Sequence, residues 1–155
     1  MVPQTGAQLP TEDQLEAIAE VMRTVFDEAI CWRVVHIGLV PGKLSRSYCW
    51  ERDASRPLRH QQHYLKITQL QLRFFFEARV INLEFLCIPE GERRKGIGKK
   101  IVECVFLIGR ELGYQQMLLH SVKASMPFWL SLGFQPVAPV NLLNPKTPRR
   151  MVCKL

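Results

Sequence analysis

The segment that most restricts how this chain can fold is Arg93-Arg94-Lys95-Gly96-Ile97-Gly98, which follows an apolar run from Leu83 to Pro89 and opens an amphipathic stretch at Ile97. A strand, a tight basic glycine loop and a helix are implied, with a second short apolar run at Gln116 to His120. That order demands a right-handed crossover, and hence a mixed sheet with helices on both faces. It also places several backbone N–H groups at a helix N-terminus, where unpaired donors and the helix dipole favour an anionic ligand. Glycines at 96 and 98 remove side chains that would hold a pyrophosphate away.

The letters exclude two familiar phosphate loops. Gly91 and Gly96 have the spacing of a nucleoside-triphosphate loop, but Ile97 and Gly98 follow where Lys and Ser or Thr are needed. The dinucleotide fingerprint fails because Ile101 stands where its third glycine belongs. What remains, Arg-x-x-Gly-x-Gly between a strand and a helix, resembles the pyrophosphate loop of the GCN5-related N-acetyltransferase superfamily. A later block, Leu119-His120-Ser121 and then Ala124 through Phe134, is similar to that family's Phe-Tyr-x-x-Leu/Phe-Gly-Phe region, and Arg150 to Leu155 looks like its last strand. The resemblance runs from about residue 80 to residue 155 and only in outline before that.

The resemblance implies a single acyl-coenzyme A N-acyltransferase-like domain over residues 1–155, with 1–10 as a flexible tail, built on a mixed, mostly antiparallel twisted sheet with helices on both faces. It implies an enzyme that moves an acetyl or short acyl group from acetyl-coenzyme A directly to a primary amine of a small molecule or a protein. By the same resemblance, main-chain donors from Arg93, Arg94, Lys95, Gly96, Ile97, Gly98 and Lys99 hold the pyrophosphate. Leu86, Cys87 and Ile88 hold the pantetheine arm, and the Ile88 N–H faces the oxyanion. Ser125, Phe128 and Trp129 flank the cofactor.

Period-two geometry puts Asn82, Glu84, Leu86 and Ile88 on one strand face, and relatives carry Glu or His at the first two positions, so Glu84 and Asn82 are the candidate catalytic pair. A carboxylate there takes the amine proton directly or through water, or else pairs structurally with Arg73 or Arg79. Trp129 stands where the family usually has a tyrosine acid. An indole N–H donates a hydrogen bond but is no acid near neutral pH. A thiol leaves tolerably as thiolate, with Ser125, Tyr114 or water as weak substitutes for the acid. The alternative is therefore an acyl-coenzyme A binding module of weak activity, in which Trp129 is a core side chain.

Other classes fit less well. The net charge of +7 suits a phosphorylated cofactor or a nucleic acid, but the cations are dispersed and no zinc-finger or RNA-binding signature is present. His60 and His63 lack further ligands at metal spacing, so no metal is expected. Five cysteines without a Cys-x-x-Cys pair, no leader-like N-terminus and apolar runs short of the roughly 20 residues of a membrane helix suggest a cytoplasmic protein with no membrane partner. Cys87 and Cys104 read as small core residues, His120 as a hydrogen-bonded structural side chain, and a homodimer through sheet edges stays open.

Along the chain, Thr11 and Gln14 offer a capping box for a helix carrying Leu15, Ile18, Met22, Val25 and Phe26 on one face. Strands are expected at Trp32 to Val40, followed by a turn at Pro41-Gly42, and at Tyr64 to Phe76, Val80 to Ile88, Gln116 to His120 and Phe134 to Val137, with Asn141 to Pro148 linking to the last strand. Residues 43–63 read as an exposed loop or irregular strand pair near the acceptor. Helices are expected from Ile97 to Leu112, with Gly113 as C-cap, and after Ser125 as a side-chain N-cap, with Pro127 in the first turn.

Overall fold

A computed structural model describes residues 6–40, 43–53, 55–56, 68–88, 96–137 and 149–155. Helix α1 (Glu12–Phe26) starts where the sequence places it: the Gln14 N–H donates to Thr11 Oγ1 at 3.2 Å and the Thr11 N–H donates to Gln14 Oε1 at 2.9 Å. Its buried stripe is Leu15, Ile18, Ala19, Met22 and Phe26, the spacing of one helix face. Strands β1 (Ile30–Gly38), β2 (Ser45–Arg52), β3 (Thr68–Phe75) and β4 (Val80–Leu86) follow as an antiparallel meander. Helix α2 (Ile97–Leu112) then crosses to β5 (Gln116–Ser121), which lies parallel to β4. A 3₁₀ turn at Lys123–Ser125, α3 (Met126–Ser131), β6 (Gln135–Pro136) and β7 (Arg149–Lys154) complete a seven-stranded sheet in the order β1-β2-β3-β4-β5-β7-β6.

The mixed, mostly antiparallel sheet that the resemblance implied is thus present. Tyr48 and Trp50 of β2, Leu70, Leu72 and Phe74 of β3, Ile81 and Leu83 of β4, and Met117 and Leu119 of β5 face one buried cluster. α1 is tied to it by the Trp50 Nε1–H, which donates to the Leu15 carbonyl at 3.0 Å. α2 lies so close to β4 that a Cβ on Gly109 would sit 2.8 Å from Ile81 Cδ1. α3 joins through Trp129 and Phe134, whose ring lies 5.9 Å from that of Phe106 in α2. Helices were expected on both faces; among the described residues all three reach this one cluster. The reverse face carries the alternate strand positions, including Ser47, Arg73, Asn82 and Glu84.

Three expectations are corrected. Residues 45–52, read as loop or irregular strand, form β2 in the interior of the sheet, with Tyr48 3% and Trp50 0% exposed. Residues 6–10, expected to belong to a frayed tail, are held down: the Ala7 N–H donates to the Phe76 carbonyl at 2.7 Å and the Gln8 N–H to the Leu112 carbonyl at 3.0 Å. Ser125 precedes α3 without a side-chain cap, since its backbone is already helical after the 3₁₀ turn. Met1–Thr5, the turn expected at Pro41-Gly42, residues 64–67 of the strand expected at Tyr64 to Phe76 and the Asn141 to Pro148 link lie outside the described residues.

Because Trp50 is fully buried and its indole N–H anchors α1, Trp50→Phe removes both ring area and a buried hydrogen bond. The expected loss is about 2 to 4 kcal/mol in urea unfolding. Leu107→Ala, at a 62% exposed position on α2, is expected to stay within about 0.5 kcal/mol.

Candidate active site

The ladder between β4 and β5 runs from Val80 opposite Gln116 to Leu83 opposite Leu119 and ends there, although β4 continues to Leu86 and β5 to Ser121. Both closing leucines are buried. The next residue on each strand, Glu84 and His120, turns to the reverse face. On its other side β4 passes from Phe85 opposite Gln71 to Leu83 opposite Leu72, so Glu84 has no counterpart on β3 and forms a β-bulge. Glu84 is exposed as a whole residue while its side chain keeps only 21% of its exposure, so its main chain is the open part. The result is a fork at the C-terminal ends of the parallel pair, where open sheets commonly receive ligands.

On the reverse face the Glu84 carboxylate is clamped from β3. Its Oε1 pairs with Arg73 Nε at 2.8 Å and its Oε2 accepts from Gln71 Nε2 at 2.8 Å. Arg73 Nε also donates to Ser47 Oγ of β2 at 2.9 Å. Asn82 sits opposite Arg73 and beside Leu118 of β5, on the same face as Glu84. Of the two partners weighed for Glu84 in the sequence, Arg73 is the one in place. Gln71 and Ser47 were not anticipated; Ser47 lies in the segment read as loop or irregular strand pair, and Gln71, now paired with Phe85, still reaches Glu84 across the bulge. The bulge also overturns the expected phase: Leu86 lies opposite Leu70, a fully buried residue, and packs on the core instead of sharing a face with Glu84. Cys87 and Ile88 follow β4 half-buried, Ile88 against the core.

α2 begins beyond the fork. Gly96 is its N-cap with φ 77, a left-handed conformation that suits glycine, and no side chain caps the helix. A Cβ at Gly96 would meet nothing within 4 Å, whereas one at Gly98 would lie 3.0 Å from Phe128 Cζ. The two glycines therefore have different reasons: the first supplies a backbone shape, and the second makes room for the ring of α3. Ile97 is buried in the core, and Lys99 is exposed and paired with Glu103 at 3.9 Å. Arg93, Arg94 and Lys95 lie outside the described residues.

Phe128 and Trp129 meet edge-on at 4.8 Å, and Trp129 meets Phe134 at 5.4 Å. Trp129 is 7% exposed, so most of its indole is core. Tyr114, weighed as a substitute acid, is packed on Phe74 at 5.4 Å just before β5 starts, at the far end of that strand from the fork. Burial pushes its hydroxyl pKa up, so it does not serve the site. Burial likewise raises the Cys104 and Cys153 thiols, which removes them as nucleophiles. Among the described residues no three His, Cys, Asp or Glu side chains converge as metal ligands, and no helix is long and apolar enough to cross a membrane. His60 and His63 are not among them.

No protein-family model and no curated protein matches the chain. Solved acetyltransferases do resemble it in fold. The IAA acetyltransferase of Bacillus cereus aligns with a TM-score of 0.48 at 10% identity, covering 81% of this chain and 99% of its own. Nourseothricin acetyltransferase aligns at 0.48 and 12%, covering 95% and 96%. Tetrahymena GCN5 aligns at 0.45 and 13%, covering 71% and 68%.

The two glycines can be separated by stability. Gly98→Ala forces a methyl group against Phe128, an overpacking expected to cost about 1 to 3 kcal/mol. Phe128→Leu in the same chain should recover part of that loss. Gly96→Ala, strained by its positive φ alone, should cost about 1 kcal/mol and gain nothing from Phe128→Leu.

Proposed function

We propose that this chain is a GCN5-related N-acyltransferase that moves an acetyl or short acyl group from a coenzyme A thioester to a primary amine in a ternary complex. The observation that carries the reading is the fork: the parallel ladder stops at Leu83 and Leu119 while both strands continue. Strand edges without a ladder partner offer main-chain donors and acceptors to an extended chain such as a pantetheine arm. α2, which follows β4, opens on Gly96 without a side-chain cap, the kind of helix start that suits a diphosphate.

In this reading Leu86, Cys87 and Ile88 line the arm, with the Ile88 N–H toward the thioester oxygen. Arg93, Arg94, Lys95, Gly96, Ile97, Gly98 and Lys99 gather the diphosphate, Gly98 through its main chain since its bare Cα is covered by Phe128. Ser125, Phe128 and Trp129 form the wall on the α3 side. The thioester supplies an activated acyl carbon, and the protein's task is to bring the amine to it. Glu84 attracts the acceptor's ammonium group and steers its proton, directly or through water, and Asn82 offers an amide to the same nitrogen. Proximity of donor and acceptor supplies most of the acceleration, so a tyrosine acid is dispensable and the thiolate leaves unaided.

Trp129 favours a second reading. An indole that is mostly core provides no proton for the leaving thiolate, which suits a module that binds acyl-coenzyme A with little turnover. Thiol release in a panel of primary amines separates the two.

Titration with acetyl-coenzyme A is expected to release or absorb measurable heat. At 100 times Kd it should stabilise the fold by about 2.7 kcal/mol, or about 5 °C or more in Tm. No heat and no shift removes both readings. Glu84→Gln should keep that affinity and lower turnover about 100-fold; unchanged turnover removes Glu84 from the chemistry.

A further inference from the structure

We infer that His120 is a second side chain of the same site and the one that accepts the acceptor amine's proton. This rests on the acyltransferase reading above and assigns a residue to which that reading gives no role. Leu83 and Leu119 are the last residues paired between β4 and β5, and both point into the core. Alternation therefore turns Glu84 and His120 to the reverse face together, one on each tine of the fork and level in register. His120 is exposed, and Glu84 is exposed chiefly through its main chain.

Glu84 is poorly placed to act as the base alone. Each of its carboxylate oxygens already holds a partner, Arg73 at 2.8 Å and Gln71 at 2.8 Å, so the group is held in place by contacts made to its charge. It is well placed to hold an ammonium group by charge. His120 lies across the opening, with Arg150 of β7 directly opposite it and Leu118 beside Asn82 before it. A neutral imidazole carries a ring nitrogen that accepts a proton, which makes His120 the member of this pair suited to general-base work.

The division of labour follows. Glu84 orients the ammonium form of the acceptor, and His120 takes one proton from it. The nitrogen lone pair so released attacks the thioester carbonyl, forming a C–N bond and an oxyanion. Collapse of that adduct breaks the C–S bond, the sulfur departs with the electron pair, and one of the two protons on the nitrogen passes to the thiolate, directly or through water. His120 then returns its proton to solvent. The sum is one amide, one free thiol and one proton from one thioester and one ammonium ion.

The test compares wild type, His120→Ala and His120→Gln with acetyl-coenzyme A and the panel amine that gives the fastest thiol release. The inference expects unchanged heat of acetyl-coenzyme A binding and an unchanged Tm for both variants, and a fall in kcat of about 100-fold. Added imidazole should restore turnover to the Ala variant. Turnover equal to wild type overturns the assignment, as does a loss that imidazole leaves untouched, because a structural role would not respond to a free base. A wild type that binds acetyl-coenzyme A but releases no thiol with any amine overturns the acyltransferase reading itself, and His120's role with it.

Discussion

The parallel ladder between β4 and β5 closes on two buried leucines, Leu83 and Leu119, and everything chemically distinctive in the chain lies just past them. Up to that pair the strands are locked, because slipping the register by one residue would turn Leu83 and Leu119 out of the core. Past it β4 carries a surplus residue, Glu84, with no counterpart on β3. A bulge adds local right-handed twist and bends its strand. A strand that bends while its parallel neighbour runs straight must part from it, which gives the fork a cause in backbone geometry. Alternation from Ile81 and Leu83 puts Asn82 and Glu84 on the reverse face, and the bulge returns Leu86 to the core opposite Leu70. One inserted residue thus leaves the polar pair in place and lets Leu86 beyond it pack as apolar structure.

What the sequence shows of this is the part written in local signals. The Thr11 and Gln14 box, the apolar stripe of α1, the span of α2 from Ile97 to Leu112 and its left-handed Gly113 cap depend on neighbours within a turn, and all are found where the letters put them. The parallel β5 follows from the strand, helix, strand order. β2 was not legible because Ser45, Arg46, Ser47, Glu51 and Arg52 surround the inward-facing Tyr48 and Trp50 with residues typical of loops. Its strand character comes from burial between β1 and β3, which no short window contains. The bulge was invisible for a like reason: register is a relation between two strands, and period two assumes it unbroken. That is why Glu84's partner Arg73 was anticipated and the position of Leu86 was not.

The Gly-x-Gly pair shows how one motif can hide two constraints. Gly96 answers to a dihedral angle, φ 77, at a helix start in open space, and Gly98 to a contact, the ring of Phe128. The second constraint links the beginnings of α2 and α3, which follow β4 and β5 respectively. The aromatic series Phe128, Trp129, Phe134 and Phe106 then carries α3 onto the side of α2. A tyrosine hydroxyl at position 129 would need a polar partner within that series, whereas an indole fills it chiefly with apolar ring area. The tryptophan is explained by packing, whatever it does to the chemistry.

The two faces of the sheet divide the work. The helical face is a continuous apolar core, and it fixes the backbone of both tines through residues that cannot move without opening cavities. The reverse face carries half-buried ion pairs, Arg33 with Glu51 at 2.8 Å and Arg73 with Glu84 at 2.8 Å. Pairs this accessible contribute little to stability, so the Arg73 clamp is better understood as orientation than as reinforcement. It holds a carboxylate still at the place where the ladder opens, on strands whose opposite sides are pinned. Functional groups mounted on strands with a packed reverse side keep their geometry better than groups carried on loops. In this chain that condition is met by Asn82 and Glu84 on one tine and by His120 on the other, each flanked by buried residues of its own strand that anchor it: Ile81 and Leu83, and Leu119 and Ser121.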